Sequence, residues 1–349
     1  MTPQKKPKRP LRQRFALTLQ FVSKRRHMRS LPGNPPESIA ILAKERYGDC
    51  IMLTPLIAEL RRAYPDLSIY IIAFNRMIFE FFTTDPNVTA VYHTKKSYGR
   101  YIKNVLLKKF DLLFNPKDHP SSSFLLQTLL IRARYKVSHF NSYHEGLYDH
   151  LIKLAPDTHE SLRNLALLTV LNPSAHPQCM PYLPPMPVST ETAAFLKTVE
   201  ADKYIGINIS AGHSGGHRTV RQWSELIEMF RDKTFVIFSS PDDLEEKRAL
   251  EQLHTNICQS PATRNLYEVG EIVKKLKILI TPDTSLVHIA SCFNTPLIGL
   301  YRKSLVDHSQ FGPLSALQES ILSPTPNVVD IDTQSIATAL SRVLKTLNT

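Results

Sequence analysis

Residues 281–288, TPDTSLVH, set an acid, hydroxyls and an imidazole between a short apolar run at 277–280 and an amphipathic stretch. Asp283 or Thr284 can cap that stretch as a helix, its side-chain oxygen accepting from a first-turn N–H. A helix that begins where a strand ends offers unpaired N–H groups and a partial positive charge, which suits a phosphate. His288 falls one turn in, where it either reaches such a ligand or satisfies a polar helix face. The spacing alone gives an anion site of low specificity, because many turns of this kind serve only as caps.

Two other stretches carry reactive groups. Gly48-Asp49 follows the apolar run 38–44, SIAILAK. A carboxylate at the head of a helix stays ionised and can take a proton from an attacking hydroxyl; the competing role for Asp49 is a simple cap. Residues 210–221, SAGHSGGHRTVR, bring Gly212, Gly215 and Gly216 together with Arg218 and Arg221. Glycines let backbone approach a ligand, and the cations suit a diphosphate, although a plain flexible loop fits the same composition. It is not a Walker A loop, since no Lys-Ser/Thr pair follows the glycines at the right spacing. The acids of 242–246 read as a charged helix start. His139, His144, His150 and His159 lack metal-ligand spacing, so no cofactor or metal is indicated.

The elements that position these groups alternate. Strands are expected at 38–44, 68–74, 88–93 and 111–115, with helices at 50–64, 98–109 and 123–134 between and after them. A helix at 162–171 is followed by the proline-rich 172–188, NPSAHPQCMPYLPPMPV, which reads as a linker. The alternation then restarts: helix 190–199, strand 204–210, helix 221–231, strand 234–239, helices 242–253 and 266–276, and the strand–helix–strand unit 277–301. A last amphipathic helix covers 331–347. This order predicts an α/β protein of two doubly wound parallel-sheet domains. The divisions expected are a basic segment 1–35, a first domain 36–172, the linker 173–188, a second domain 189–330 and a C-terminal helix 331–349.

A chain of 349 residues, 42% hydrophobic and 21% charged, can bury two cores, and no apolar run reaches the roughly 18 residues that span a bilayer. Four scattered cysteines fit a reduced, cytoplasmic setting. The net charge of +12 is concentrated in residues 1–30, which hold ten Lys and Arg and no acid. That segment is a disordered basic tail, an amphipathic segment on an anionic membrane surface with Phe15, Leu17, Leu19, Phe21 and Val22 as its apolar side, or a nucleic-acid arm. No nucleic-acid-binding fold follows it, so no nucleic-acid partner is expected.

The run PDTSLVHIASCFNTPLIGLY resembles the signature of the bacterial heptosyltransferase family, glycosyltransferase family 9. The stretch YGDCIMLTPLIAELRRAYPDLSI is similar to that family's N-terminal motif, and Arg221-Gln222-Trp223 to its basic residue two positions before a Trp. The resemblance implies a GT-B fold, two Rossmann-like domains facing a cleft whose closure excludes water. It implies an inverting, metal-independent transferase with ADP-heptose as nucleotide-sugar donor and the Kdo or heptose of a lipopolysaccharide inner core as acceptor, working at the inner face of the inner membrane. Asp49 corresponds to the proposed catalytic base. Arg221, with Arg218 as an alternative, and the amides of Thr284, Ser285 and Leu286 would meet the diphosphate, and Asp283 would help place the sugar. Family members often carry Gly where Ser285 stands, and Lys where Arg221 stands, so local contacts are expected to differ. The basic residues Lys95, Lys96, Arg100, Lys103, Lys108 and Lys109 read as a solvated face or an acceptor contact. The alternatives are a transferase for another nucleotide sugar and a non-catalytic protein of the membrane surface.

Overall fold

The computed structural model describes residues 9–23, 35–212, 217–303 and 305–348. Two compact units divide the chain, Met1–Cys179 and Met180–Thr349, and each is built on its own parallel sheet.

In the first unit the strands are β1 (Ser38–Leu42), β2 (Ser68–Ala73), β3 (Ala90–His93), β4 (Lys109–Asn115), β5 (Arg132–His139) and β6 (His150–Ile152), in the order β3-β2-β1-β4-β5-β6. The chain runs outward from β1 to β3, crosses back to β4 and runs outward again. Order therefore reverses between β1 and β4, whose pairing is Ile39 with Leu112 and Ile41 with Phe114. All of β1 is buried, which is why SIAIL reads as a continuous apolar run rather than an alternation. One face of the sheet carries Ala40, Leu42, Ile72 and Leu113 against Tyr101, Val105 and Phe124 from the covering helices. Phe124 is fully buried, stacks on Phe74 at a centroid distance of 4.3 Å, and has the Lys117 ammonium 4.1 Å from its ring.

The second unit holds β7 (Tyr204–Asn208), β8 (Thr234–Phe238), β9 (Ile278–Pro282), β10 (Leu297–Tyr301) and β11 (Gln318–Leu322), ordered β11-β10-β9-β7-β8. Here the reversal lies between β7 and β9, where Gly206 pairs with Leu279. The helix Val220–Met229 buries Trp223, Leu226 and Ile227 on this sheet, and the C-terminal helix Thr333–Leu347 adds Ile336, Leu340 and Val343 to the same core.

The sequence reading is corrected at several elements. Residues 123–134 are not one helix: the helix Ser122–Leu130 ends and β5 begins at Arg132. Arg132 and Arg134 point to solvent while Ala133 and Tyr135 are buried, the strand alternation that two basic residues disguise. The helix expected over 50–64 is split into Tyr47–Ile51 and Thr54–Ala63, the second opening with Pro55 in its first turn. Strands β6 and β11 and the helix Leu305–Phe311 had no sequence signal strong enough to register. Residues 9–23 form a helix whose Phe15, Ala16 and Leu19 dock beside Leu125 and Leu129, while Leu17 and Phe21 face outward. The odd-numbered apolar residues thus do not share one side, because a helix repeats every 3.6 residues and not every two.

Replacing Phe124 by Ala removes a fully buried ring from the centre of the first unit and is expected to cost about 3–5 kcal/mol. Urea unfolding followed by far-UV circular dichroism measures it; a loss under about 1 kcal/mol would show that the ring is not a core element.

Candidate active site

Parallel strands end on one edge, and a ligand crevice forms there at the point where strand order reverses. In the second unit that point is organised by Asn208, the last residue of β7. Its side-chain N–H groups donate to Thr281 Oγ1 at 2.9 Å, to Thr284 Oγ1 at 3.2 Å and to the Ser210 carbonyl at 3.2 Å. Its Oδ1 accepts from the Ser210 amide at 3.2 Å. One buried amide therefore fastens the loop after β7 to the turn after β9. Ser210 Oγ is held by Asp243 at 2.5 Å and accepts from the Ser240 amide at 2.6 Å, which draws in the end of β8.

Thr284 is the N-cap of the helix Ser285–Phe293, its Oγ1 accepting from the Leu286 amide at 3.3 Å. The helix stops at Asn294, which adopts the left-handed conformation at φ 54° and accepts from the Ala316 amide. Asp283 is half-buried and its amide donates to the Leu300 carbonyl at 3.1 Å, so the turn is pinned to β10 as well. A side chain added at Gly212 would stand 3.5 Å from the Asp283 carbonyl, so that part of the glycine loop lies against the turn. Gly215 and Gly216 lie outside the described residues. His288 is buried one turn into the helix.

The two arginines part company. Arg218 is buried, with its guanidinium donating to the Ile331 carbonyl and to Thr333 Oγ1 and lying 5.3 Å from the Trp223 ring. Arg221 is exposed on the helix Val220–Met229, bonded to Glu225 at 3.0 Å, and lines an open groove with Ser224, Glu228 and Thr333. The structure thus unites Asp283, Thr284, Ser285, Leu286, His288 and Gly212 at one turn and commits the arginines elsewhere in the same unit.

Tyr301, which the sequence reading did not single out, joins the turn. It closes β10 with its ring folded back over Gly299, where a Cβ would come within 2.4 Å of it. Its hydroxyl is buried with no hydrogen-bond partner among the described residues, and burial together with the nearby Asp283 charge pushes its pKa far up, so it stays a neutral donor. Asn208 and Tyr301 each end an otherwise apolar strand with a polar group, and Thr281 stands one residue before the end of another, which is the signal that finds them.

In the first unit the loops after β1 and β4 meet at the corresponding point. Lys117, past β4, reaches Glu45, past β1, at 2.7 Å. Lys44 pairs with the buried Glu160, whose other oxygen lies 3.7 Å from Arg163, and Arg163 binds Asp118 at 2.7 Å. Asp118 is held well below the usual carboxylate range by its bond to His119 and by Arg163. Asp49 stands at the third position of the helix Tyr47–Ile51, whose N-cap is Arg46 with no side-chain cap bond, so it is not the capping residue. Burial raises its pKa above the ordinary value, opposed by Lys44, Arg46 and Lys117 and reinforced by Glu45. Such a carboxylate is more basic than an exposed one, which favours proton abstraction.

Behind this edge lies a buried polar ladder. Asn115 donates to the Tyr148 hydroxyl at 2.6 Å, and Ser138 Oγ donates to the Asn115 carbonyl at 2.9 Å and contacts His144 Nδ1 at 3.2 Å. His139, which ends β5, is buried with neither ring nitrogen partnered among the described residues and packs edge-on to Phe114; burial lowers its pKa to about 3. Among the described residues no group of three or more His, Cys, Asp or Glu is placed to hold a metal ion.

Two outcomes follow for stability. Lys44→Ala strands the Glu160 carboxylate and is expected to cost about 3–5 kcal/mol, with part recovered in the Lys44→Ala/Glu160→Gln double variant; equal urea midpoints for wild type and single variant would remove the pair from the account. His139 binds its proton only below about pH 3 when folded but near 6.5 when unfolded. Its contribution is present above pH 6.5 and is lost as the pH falls towards 3, at about 1.4 kcal/mol per pH unit. Unfolding titrations of His139→Gln should show a shallower acid limb, and an unchanged limb would assign the acid sensitivity to other groups.

Residues 98–340 match the model of glycosyltransferase family 9 (heptosyltransferase). Lipopolysaccharide heptosyltransferase 3 of Escherichia coli is 24% identical over 293 residues, 77% of this chain and 84% of that protein. The structure of E. coli heptosyltransferase WaaC with ADP superposes with a TM-score of 0.69 at 14% identity, covering 88% of this chain and 99% of that one. E. coli ADP-heptose lps heptosyltransferase II gives 0.67 at 19% identity, covering 89% and 100%. The α/β architecture of two parallel sheets is accordingly the GT-B fold of these enzymes. With the family model spanning most of its length and both of its units, the chain belongs to glycosyltransferase family 9, the heptosyltransferases.

Proposed function

We propose that the chain transfers a heptose from ADP-heptose to a Kdo or heptose of the lipopolysaccharide inner core, with inversion and without a metal ion. The observation that carries the reading is the Asn208 bridge, which fixes a capped helix N-terminus at the reversal point of the second sheet. That arrangement suits the diphosphate of a nucleotide sugar. Several of the similar proteins bear names that point to the same chemistry: one is bound to ADP and another is named for ADP-heptose. A related protein is named for lipopolysaccharide.

In the proposed reaction Asp49 takes the proton of the acceptor hydroxyl as its oxygen attacks the anomeric carbon. The bond from that carbon to the diphosphate breaks, and ADP leaves. The Thr284–Leu286 amides and the helix dipole behind them meet the charge that develops on the leaving diphosphate, the kind of preorganised stabilisation worth most in such reactions. Tyr301, its buried hydroxyl folded back over Gly299, backs the same turn from within the unit. Asp283 orients the sugar, and His288 supports the turn from the buried side of the helix. Arg221 and Arg218 remain candidates for the diphosphate; in this structure they are engaged by Glu225 and by Ile331 and Thr333 respectively. Lys44, Arg46 and Lys117 stand near enough to Asp49 to favour its charged form, against burial and the Glu45 charge.

The test is transfer by the purified chain from ADP-heptose to a heptose-deficient lipopolysaccharide core, with and without a chelator. Transfer that survives chelation is expected. Transfer only from a nucleotide sugar other than a heptose would sink the donor assignment, and none from any donor would sink the activity. Asp49→Asn should lower turnover by about 10²- to 10⁴-fold. Because its pKa is raised on folding, the ionised carboxylate costs stability at pH 7, so the same variant should unfold at an equal or higher urea concentration. A variant that keeps its turnover would remove Asp49 as the base.

A further inference from the structure

Three helical segments lie side by side on the first unit. Tyr98–Tyr101 continues into Ile102–Leu106, and the Tyr101 hydroxyl donates to Gln127 of the helix Ser122–Leu130 at 2.5 Å. On the far side of Ser122–Leu130 lies the N-terminal helix Arg9–Ser23, joined through Ala16, Leu19, Leu125 and Leu129 and by Gln20, which donates to the Ser142 and Glu145 carbonyls. Each segment spends its inner residues on the core and shows apolar residues outward: Leu17 and Phe21, Ile102 and Leu107, Leu126 and Leu130, with Phe21 80% and Leu107 66% exposed. A soluble surface seldom gathers so many large apolar side chains on adjacent helices without a partner.

The charge carried by these segments has one sign, and Glu145, whose carbonyl accepts from Gln20, is an exposed acid at their border. The stretches 9–23, 95–110 and 119–135 contain no Asp or Glu. Arg14, Arg100, Lys103 and Arg132 are exposed among or beside the outward apolar residues. No described helix is long and apolar enough to cross a membrane, and none is needed for a face that lies flat on one. Apolar side chains at acyl depth with cations at headgroup level are the two features that an anionic bilayer selects.

We propose that this three-helix face docks on an anionic lipid bilayer, with Leu17, Phe21, Leu126 and Leu130 entering the interface. The helix Arg9–Ser23 is then one edge of a folded surface. The proposal stands apart from the choice of donor and acceptor sugars.

The test uses the full chain and sedimentation with vesicles of phosphatidylglycerol and phosphatidylethanolamine, against vesicles of phosphatidylcholine alone. Wild type should partition to the anionic vesicles, and less as salt rises. Leu17→Glu/Phe21→Glu and, separately, Leu126→Glu/Leu130→Glu should each lower partitioning at least tenfold, while transfer to a soluble deacylated acceptor is unchanged. If either pair alters the thermal melt, Leu126→Ser/Leu130→Ser with an unaltered melt is read instead and should lose severalfold. Equal partitioning to both vesicle types, no partitioning by wild type, or variants that bind as wild type does would overturn the proposal. So would self-association in solution that the acidic pairs abolish without any vesicle binding, which would give the face to a second copy of the chain.

Discussion

The constraint on which the molecule rests is that parallel strands deliver all their carboxyl ends to one edge, and that a sheet wound outward in two directions must split its crossovers there. Each unit has one such split, and each closes it with a polar contact between segments distant in sequence. Asn208 does so in the second unit, sharing one amide among Ser210, Thr281 and Thr284. Lys117 and Glu45 do so in the first.

The two closures differ in kind. The second unit uses neutral groups, so its turn is fixed at little electrostatic cost and the helix dipole remains the dominant local field. The first uses charges, arranged as Lys44, Glu160, Arg163 and Asp118 in alternating sign. Alternation is what makes such burial tolerable, because each ion has a compensating neighbour in a medium that solvates it poorly. Lys44 also bears on Asp49: burial pushes that carboxyl towards its neutral form, and Lys44, Arg46 and Lys117 oppose the shift. The carboxylate is thereby more basic than one in water.

Some of this was legible in the residues. The buried strands announced themselves as short apolar runs, and the caps at Thr284 and Asn294 followed from local chemistry that needs only a few residues of context. β5 was not legible, because Arg132 and Arg134 mimic the basic end of a helix, and only pairing with β4 shows that they face outward from a strand. The arginines of the glycine loop illustrate the same limit. Composition marks Arg218 and Arg221 equally as cations near glycines, whereas packing sends one beneath the C-terminal segment and leaves the other on an exposed helix face.

The sequence by itself determined the α/β class, the order of most elements, the family and the turn at 283–286, because these depend on local propensity, period and contiguous motifs. Tertiary structure alone decided that Asn208 and Tyr301 belong to that turn, that Asp49 is half-buried among ion pairs instead of capping its helix, and that the N-terminal helix docks with Leu17 and Phe21 outward. Those outcomes depend on which strands become neighbours and which helix faces are covered. Both are set by burial and pairing between residues many tens of positions apart, which no local pattern records.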